Sequence, residues 1–195
     1  DVEMVFSMLT ELKTSQRGYL KSERVPRLRN VVYIGQEKYT GMYNTPEMLL
    51  LGQNIKDETL EAATARVNCH DVVNMQYTSG TTGFPKAILH RHRALVCSCV
   101  TEQHHHGQTK DDVFLCIPPL YHTGAKMHWF GSLISGSKAV LLRGVKPEWI
   151  LRTVTEEKCT IVWLLVPWAQ DILDAIESGR VNLEHYLLDQ WRLMH

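Results

Sequence analysis

Residues 77–86 of the chain read Tyr77-Thr78-Ser79-Gly80-Thr81-Thr82-Gly83-Phe84-Pro85-Lys86, and the run before them is Asp71-Val72-Val73-Asn74-Met75-Gln76. The earlier run predicts a β-strand that leads into a loop rich in glycine and hydroxyl residues. Glycines allow backbone N–H groups to turn toward an anion, the hydroxyls add donors, and the lysine adds a positive charge. The stretch therefore predicts a phosphate-binding loop, as expected of an enzyme that uses ATP.

The segments after the loop predict an α/β fold. The short strand at 87–89 follows the loop at once, and this close connection favours antiparallel pairing with the strand at 71–77. From residue 113 onward, apolar strands alternate with helical segments, which is the pattern of parallel strands covered by helices. We therefore expect a mixed, largely parallel sheet flanked by helices.

Two parts of the chain are expected to differ in role. We interpret residues 1–70 as a peripheral segment and residues 71–195 as the α/β core that carries the phosphate loop. Within the first part, residues 13–30 predict a surface connection. A helix is expected to begin after it, with Thr45 as its N-cap and Pro46 at its first position.

Three further predictions concern the second part of the chain. The run at 160–166 predicts one continuous strand that ends at Pro167. The helix over 91–106 is expected to turn Leu95, Val96, Cys99 and Val100 inward. Its end, His104-His105-His106, predicts a solvated surface rather than a metal site, because consecutive helical residues point in different directions.

Composition excludes several classes of function. Lysine plus arginine equals aspartate plus glutamate at 21 each, so no basic excess suggests a nucleic-acid surface. No apolar run in the sequence has the length of a transmembrane helix. The five cysteines are an odd number without metal-binding spacing, which favours reduced thiols and a cytoplasmic location.

The loop departs from the two common nucleotide fingerprints. In the Walker phosphate loop a hydroxyl residue follows the lysine directly, whereas Ala87 follows Lys86 here. The Walker pattern also has a glycine directly before the lysine, whereas Pro85 stands in that position here. The dinucleotide pattern G-x-G-x-x-G does not fit this stretch either.

The loop instead resembles that of the acyl-adenylate-forming, or AMP-binding, superfamily. The pattern of that superfamily, [YF]-T-S-G-[ST]-T-G-x-P-K-G, is matched from Tyr77 through Lys86, and only Ala87 departs from it. Two later segments also resemble family motifs: Ile117-Pro118-Pro119-Leu120-Tyr121-His122-Thr123-Gly124 and Lys158-Cys159-Thr160-Ile161-Val162-Trp163-Leu164-Leu165-Val166-Pro167. The resemblance runs over essentially the whole chain and is strongest to the medium-chain fatty-acyl-CoA synthetases.

The resemblance implies a two-step reaction. A carboxylate attacks the α-phosphorus of ATP to give acyl-AMP and pyrophosphate, and the thiol of coenzyme A then displaces AMP. Magnesium is implied as the metal cofactor, and a carboxylic acid as the substrate, with the resemblance to fatty-acyl-CoA synthetases implying a fatty acid. The remainder of the family's polypeptide is implied as the partner of this segment.

The resemblance also implies roles for individual residues. Lys86, Thr82 and His122 are implied as catalytic, with His122 near the acyl carboxylate. The implied nucleotide-binding residues are Thr78, Ser79, Gly80, Thr81, Thr82, Gly83 and Lys86, and the implied magnesium ligands are Thr78 and Thr81. The implied walls of the acyl pocket are Tyr121, His122, Gly124, Met127 and Trp129.

Several motifs of the superfamily are not found in the 195 residues. They are the Y-G-x-T-E segment, the T-G-D aspartate that binds ribose, the hinge and the C-terminal lysine needed for adenylation. We therefore expect a fragment of the large N-terminal domain, with little or no ligase activity by itself. Three alternatives stay open: a module that binds ATP or AMP without catalysis, another adenylate-forming enzyme such as an aryl-CoA ligase or a peptide-synthetase adenylation domain, and a degenerate member acting through protein contacts.

Overall fold

The computed structural model describes residues 2–80 and 83–195. Thr81 and Thr82, both predicted site residues, lie outside the described residues. The chain forms two compact units, one up to Val67 and the other over Asn68–His195. Within the described residues, no helix combines the length and the apolar character needed to cross a membrane.

The first unit is a small assembly of helices around a short parallel strand pair. Its elements are α1 (Val2–Met8), a 3-10 turn (Thr10–Lys13), β1 (Val31–Tyr33), β2 (Met42–Asn44), α2 (Thr45–Gly52) and α3 (Asp57–Thr64). Leu9, Leu12, Leu20 and Met42 form its buried core. The prediction of a surface connection over 13–30 is wrong at Leu20, because this side chain completes the core between the first helix and the strands.

Helix α2 begins at Thr45, one residue earlier than predicted. Asn44, and not Thr45, is the N-cap: its side-chain oxygen accepts from the backbone N–H of Glu47 at 3.1 Å. The Glu47 carboxylate accepts in return from the Asn44 backbone N–H at 3.1 Å, which completes a capping box. The Thr45 hydroxyl instead accepts from the N–H of Gly35.

The second unit carries the strands and helices of the α/β core. Its elements are β3 (Val72–Tyr77), β4 (Ala87–Arg91), α4 (His92–His106), β5 (Val113–Cys116), α5 (Thr123–Ser135), β6 (Lys138–Leu141), α6 (Pro147–Glu157), β7 (Ile161–Trp163), α7 (Val166–Glu177) and β8 (Leu193–Met194). Strands β6, β5, β7 and β8 lie in that order in one parallel sheet. Strands β3 and β4 pair antiparallel, as predicted, but form a sheet of their own. The α/β class with mixed pairing and flanking helices is confirmed.

Alternate side chains of the parallel sheet bury against different helices. Leu115 and Val162 are register partners and belong to the apolar cluster that includes residues of α6 and α7. Phe114 and Ile161 are also register partners, and they join Ala125 of α5 in a separate cluster. This two-sided burial explains why β5 is apolar at every position, as in other covered parallel strands.

The predicted strand at 160–166 is shorter than expected. Strand β7 ends at Trp163, and Val166 begins α7 with Pro167 in its first turn. Proline is well tolerated there because the first backbone N–H groups of a helix have no partner within it. Strand β8, which was not predicted, lies beside β7.

Helix α4 buries a different set of side chains from the predicted one. Cys99 is buried, but Val96 and Val100 are 49% and 47% exposed. The prediction of a solvated helix end is wrong for His106, which is only 7% exposed, whereas His104 and His105 are exposed.

Candidate functional site

The predicted phosphate loop connects β3 to β4, and two hydrogen bonds close its base. The backbone N–H of Thr78 donates to the Lys86 carbonyl at 3.0 Å. The backbone N–H of Lys86 donates to the Thr78 hydroxyl at 3.1 Å. Because Thr78 serves both bonds, the antiparallel ladder continues one step beyond the Tyr77–Ala87 pair, and the lysine is held at the mouth of the loop.

Glycines shape the described part of the loop. Gly80 has φ of +68°, a left-handed conformation that favours glycine, and its carbonyl accepts from the Gly83 N–H at 3.2 Å. A Cβ added to Gly80 would lie 2.7 Å from the Gly83 carbonyl oxygen, so the turn excludes a side chain. Ser79 and Lys86 are exposed, which leaves the Ser79 hydroxyl and the Lys86 ammonium open to solvent; Gly83 is also exposed, but its N–H is already bonded to Gly80.

His122 begins helix α5 as its N-cap. Its Nδ1 accepts from the backbone N–H of Gly124 at 3.2 Å, which orients the imidazole. With Nδ1 used as an acceptor, Nε2 carries the proton of the neutral ring and can donate to an incoming group. The His122 and Trp163 ring centroids lie 5.8 Å apart.

Gly124 lies against the same tryptophan. A Cβ at this position would approach Cζ2 of Trp163 to 2.8 Å, closer than real Cβ contacts allow. The glycine therefore permits the first turn of α5 to pack on β7 and places His122 beside the end of the parallel sheet.

Polar contacts join the strand that precedes the loop to the segment that carries His122. The Gln76 amide donates to the Tyr121 carbonyl at 2.7 Å. The Lys126 ammonium of α5 donates to Asn74 Oδ1 at 3.1 Å and to Gln76 Oε1 at 3.0 Å. The structure therefore brings β3 and the His122 segment together, although 45 residues separate Gln76 from Tyr121.

The residues of this bridge were missed by the sequence reasoning. Asn74 and Gln76 alternate with Val73 and Met75 along β3, a period-two pattern that places both amides on one face. That pattern was a usable signal for a polar contact. It did not identify Lys126 as the partner, because the partner depends on how β3 meets α5.

The predicted pocket walls do not share one cavity. Tyr121 is 77% exposed, and Gly124 contacts Trp163. Met127 lines a small recess with Gln76 and His90, whereas Trp129 lines a neighbouring recess of about 200 Å³ with Val73 and Leu95. The two recesses share Asn74, Leu95 and Lys126, so they lie side by side between β3, α4 and α5.

A larger cavity opens at the carboxyl ends of β5 and β6. It has a volume of about 460 Å³ and is lined by Cys116, Ile117, Pro118, Pro119, Leu120, Leu141, Leu142, Arg143 and Gly144. Ligands of α/β proteins commonly bind at this edge of a parallel sheet. The lining includes the Ile117–Leu120 part of the segment that ends in His122.

The arrangement combines a turn with exposed donors and an oriented imidazole. A glycine-shaped loop with open donors and a lysine leaves β3, and an oriented imidazole lies on the segment that β3 contacts. The profile of the AMP-binding enzyme family matches residues 4–194 of the chain. The chain belongs to the AMP-binding enzyme family.

Curated relatives agree with this assignment. YngI of Bacillus subtilis (strain 168), provisionally named an acyl-CoA synthetase, is 33% identical over 162 residues, which are 82% of this chain and 29% of that protein. The medium-chain acyl-CoA ligase ACSF2, mitochondrial, of Danio rerio is 29% identical over 191 residues, or 93% of this chain and 30% of that ligase. The chain thus spans about 30% of the length of these relatives.

Solved structures share the fold. The luciferase-like enzyme from the nonluminescent mealworm Zophobas morio has a TM-score of 0.66 at 23% identity, over 85% of this chain and 36% of that one. The o-succinylbenzoate coenzyme A synthetase of Bacillus subtilis, in complex with ATP and magnesium ion, has a TM-score of 0.53 at 25% identity. That match covers 55% of this chain and 22% of the synthetase.

Proposed function

We propose that this chain supplies the phosphate loop and part of the acid site of an ATP-dependent acid–thiol ligase. The observation that carries the proposal is the loop over 78–86, closed by Thr78 and Lys86 and linked by Gln76 to the segment that ends in His122. An adenylating enzyme must bring a carboxylate to the α-phosphate of ATP. Joining a phosphate-binding loop to an oriented imidazole serves that purpose.

The loop residues are assigned to the phosphates of ATP. Lys86 supplies positive charge to the phosphate oxygens, Ser79 and Gly80 supply donors along the loop, and Gly83 shapes the turn beside the phosphates. Thr81 and Thr82, which lie outside the described residues, are assigned to the same phosphates. Magnesium, when bound, would neutralise charge on the phosphate oxygens, and the hydroxyls of Thr78 and Thr81 are the proposed ligands.

The donor set fits these groups, and the Thr78 hydroxyl has two roles in it. The Thr78 hydroxyl already accepts from the Lys86 N–H, but a hydroxyl oxygen has a second lone pair that a magnesium ion can use. The same hydroxyl therefore can close the loop and face the metal. Carboxylates for the rest of the magnesium shell would come from other parts of the enzyme.

His122 is assigned to the acid. Its Nδ1 is occupied by the Gly124 N–H, so Nε2–H is the group that can orient the substrate carboxylate for attack on phosphorus. The proposed pocket walls are Tyr121, Gly124, Met127 and Trp129. The adjacent recesses beside Met127 and Trp129 support an acyl pocket between β3, α4 and α5.

A medium-chain fatty acid is the proposed substrate and coenzyme A the proposed acceptor. The name of the Danio rerio relative supports both, and the apolar lining by Leu95, Leu120 and Phe130 suits an alkyl chain. The resemblance to an o-succinylbenzoate synthetase makes an aromatic acid the main rival.

Binding of ATP to the chain tests the loop directly. We expect the 195-residue chain to bind ATP with magnesium weakly in calorimetry, and Lys86→Ala to reduce that affinity by about 10-fold, equivalent to ~1.4 kcal/mol. Lys110→Ala removes an exposed lysine outside the loop and is the matched control. If the Lys86 and Lys110 variants bind ATP with equal affinity, the assignment of the loop to nucleotide binding is wrong.

Adenylation is tested in a polypeptide that carries this chain together with the remaining family motifs. Pyrophosphate exchange into ATP should depend on added carboxylic acid and should fall by about 100-fold or more in Lys86→Ala, because a charge-stabilising group is lost. A panel of C6–C12 fatty acids and benzoates identifies the acid. Nucleotide binding without exchange for any acid would favour the non-catalytic module.

The cytoplasmic location is also proposed. Its support is the presence of free thiols at Cys69, Cys97, Cys99, Cys116 and Cys159 in the structure. The Danio rerio relative is named mitochondrial, so microscopy of a tagged protein with mitochondrial and cytosolic markers decides between the two compartments.

A further inference from the structure

A second group of ionisable side chains lies apart from the proposed loop chemistry. It consists of Glu102 and His106 near the end of α4, His128 in the middle of α5, and His195 directly after β8, and it is called the histidine cluster below. Three separate elements therefore contribute one or two side chains each. The proposed ligase reaction uses none of them.

The histidine cluster is compact. One ligand atom from each of Glu102, His106 and His128 lies within 4.8 Å of the other two. The His195 ring centroid is 4.4 Å from that of His106 and 5.0 Å from that of His128. The His195 Nε2 is also 3.9 Å from the Glu102 carboxylate.

The buried imidazole of His106 lacks the hydrogen-bond partners that buried polar atoms normally have. His106 and His128 are only 7% and 3% exposed. Neither ring nitrogen of His106 has a hydrogen-bond partner among residues 2–80 and 83–195. Buried polar atoms nearly always have a partner in folded proteins, so an unpartnered imidazole aimed at two other histidines indicates a ligand that occupies the space between them.

We propose that the histidine cluster binds a divalent transition metal, with Zn²⁺ as the best fit, through Glu102, His106, His128 and His195. Three imidazole nitrogens and one carboxylate oxygen form a four-coordinate donor set of the kind that zinc accepts. Tetrahedral coordination at ~2.0–2.2 Å places ligand atoms about 3.3–3.5 Å apart. The ligand atoms of Glu102, His106 and His128 lie within 4.8 Å of one another, so at the largest such separation these side chains must close by about 1.3–1.5 Å.

The rings are held in place by their neighbours. His128 stacks on Phe114 of the central strand, with centroids 4.7 Å apart and planes 17° from parallel. The backbone of His195 is fixed on both sides, since its N–H donates to the Val162 carbonyl and its carbonyl accepts from the Leu164 N–H. Two of the proposed ligands therefore have limited freedom to move away from the site.

The arginine beside the cluster is paired with a carboxylate. Arg192 donates to the His106 carbonyl, but its guanidinium is paired with Asp112, which offsets the repulsion of a metal ion.

A metal at this position would have a structural role. It would join α4, α5 and β8, and all four of its positions would be filled by protein groups, as in closed structural zinc sites. It also explains the His104–His106 run: only the third histidine faces inward, while the first two remain exposed.

The test is metal titration of the chain after treatment with a chelator. We expect one equivalent of Zn²⁺ to bind, a rise in the thermal midpoint on binding, and the visible absorption of tetrahedral Co²⁺ when cobalt replaces zinc. Absence of stoichiometric binding to the folded, chelator-treated chain would refute the proposal.

Three substitutions make the test specific. Glu102→Gln and His106→Gln should each weaken Zn²⁺ binding by about 100-fold and abolish the tetrahedral cobalt spectrum, since each removes a direct ligand. His105→Gln alters an exposed neighbour on the same helix and should bind as the unchanged chain does. Glu102 is partly exposed, so its variant retains the fold if His106→Gln does not. Loss of binding in His105→Gln, with Glu102→Gln unaffected, would place the metal on the surface and overturn the assignment.

Discussion

At the scale of single residues, Asp112 accepts several hydrogen bonds from distant parts of the second unit. Its carboxylate accepts from Arg192 Nε at 2.9 Å and Nη2 at 2.8 Å, from the Thr160 hydroxyl at 2.6 Å and from the Thr109 N–H at 2.8 Å. The hydrogen bonds from Arg192 are the largest cause that holds the pKa of this carboxyl far below its usual range, against the opposing effect of burial. Asp112 thereby joins the start of β5 to the segments before β7 and β8.

The first prediction is that Asp112→Asn destabilises the chain by about 1–3 kcal/mol at pH 7, because charge-assisted bonds to a buried acceptor are lost. The folded-state pKa is below the unfolded value of ~3.9, so the carboxylate stabilises the fold at neutral pH and loses that contribution as the pH falls below about 5. Urea unfolding from pH 7 to pH 3 measures this. The difference between the two proteins should shrink toward acid; a constant difference would show that ionisation of Asp112 is not the cause.

Residue identity alone predicted some roles and missed others. The antiparallel pairing of β3 with β4 was predicted from their short connection, and the Thr78–Lys86 bonds continue that ladder. The burial of His106 was not predictable in this way. It depends on the packing of α4 against α5, which brings His128 from 22 positions further along the chain.

At the scale of elements, the start of a helix depends on which side chain caps its free backbone N–H groups. Thr45 and Asn44 are both good N-caps by type, and sequence favoured the one next to Pro46. In the structure the Asn44 amide also donates to the Gln36 carbonyl at 2.8 Å, so tertiary contact selects it as the cap. Strand β7 likewise ends early because the backbone turns into α7 after Trp163.

The second prediction concerns this cap. Asn44→Ala should destabilise α2 and its surroundings by about 1–2 kcal/mol, since the capping bond and the bond to Gln36 are both lost. Amide hydrogen exchange in α2 should accelerate by about 5–30-fold as a result. Thr64→Ala, at the exposed end of α3, is the control and should change exchange in α2 little. If amide exchange in α2 is unchanged in Asn44→Ala, the Asn44 cap does not stabilise this helix.

At the scale of the whole molecule, the chain consists of two compact units that meet in sequence at Val67 and Asn68. The turn before the second unit is exposed, with Val67 at 57%. Each unit has its own apolar cluster or clusters. The division of roles into a peripheral segment at 1–70 and a phosphate-loop core at 71–195 stays a prediction.

The third prediction follows from the exposed junction. Brief digestion with trypsin should cut first after Arg66, because exposed turns without regular structure fit a protease site. Mass spectrometry should identify a product that begins at Val67, and circular dichroism should show that it keeps its helices and strands. Early cleavage after Lys138, at the start of β6, would contradict the division into two units.

The sequence by itself determined the class of fold, the strand–loop–strand at 71–91 and the family, because these depend on local patterns: alternation along strands, glycines at turns and a motif of ten contiguous residues. Only the tertiary structure decided which distant side chains meet. The Gln76–Tyr121 contact, the Asp112–Arg192 pair and the histidine cluster each join residues from different elements. Their formation depends on how helices pack against the sheet, and that arrangement is set by burial of many apolar groups together rather than by any short pattern.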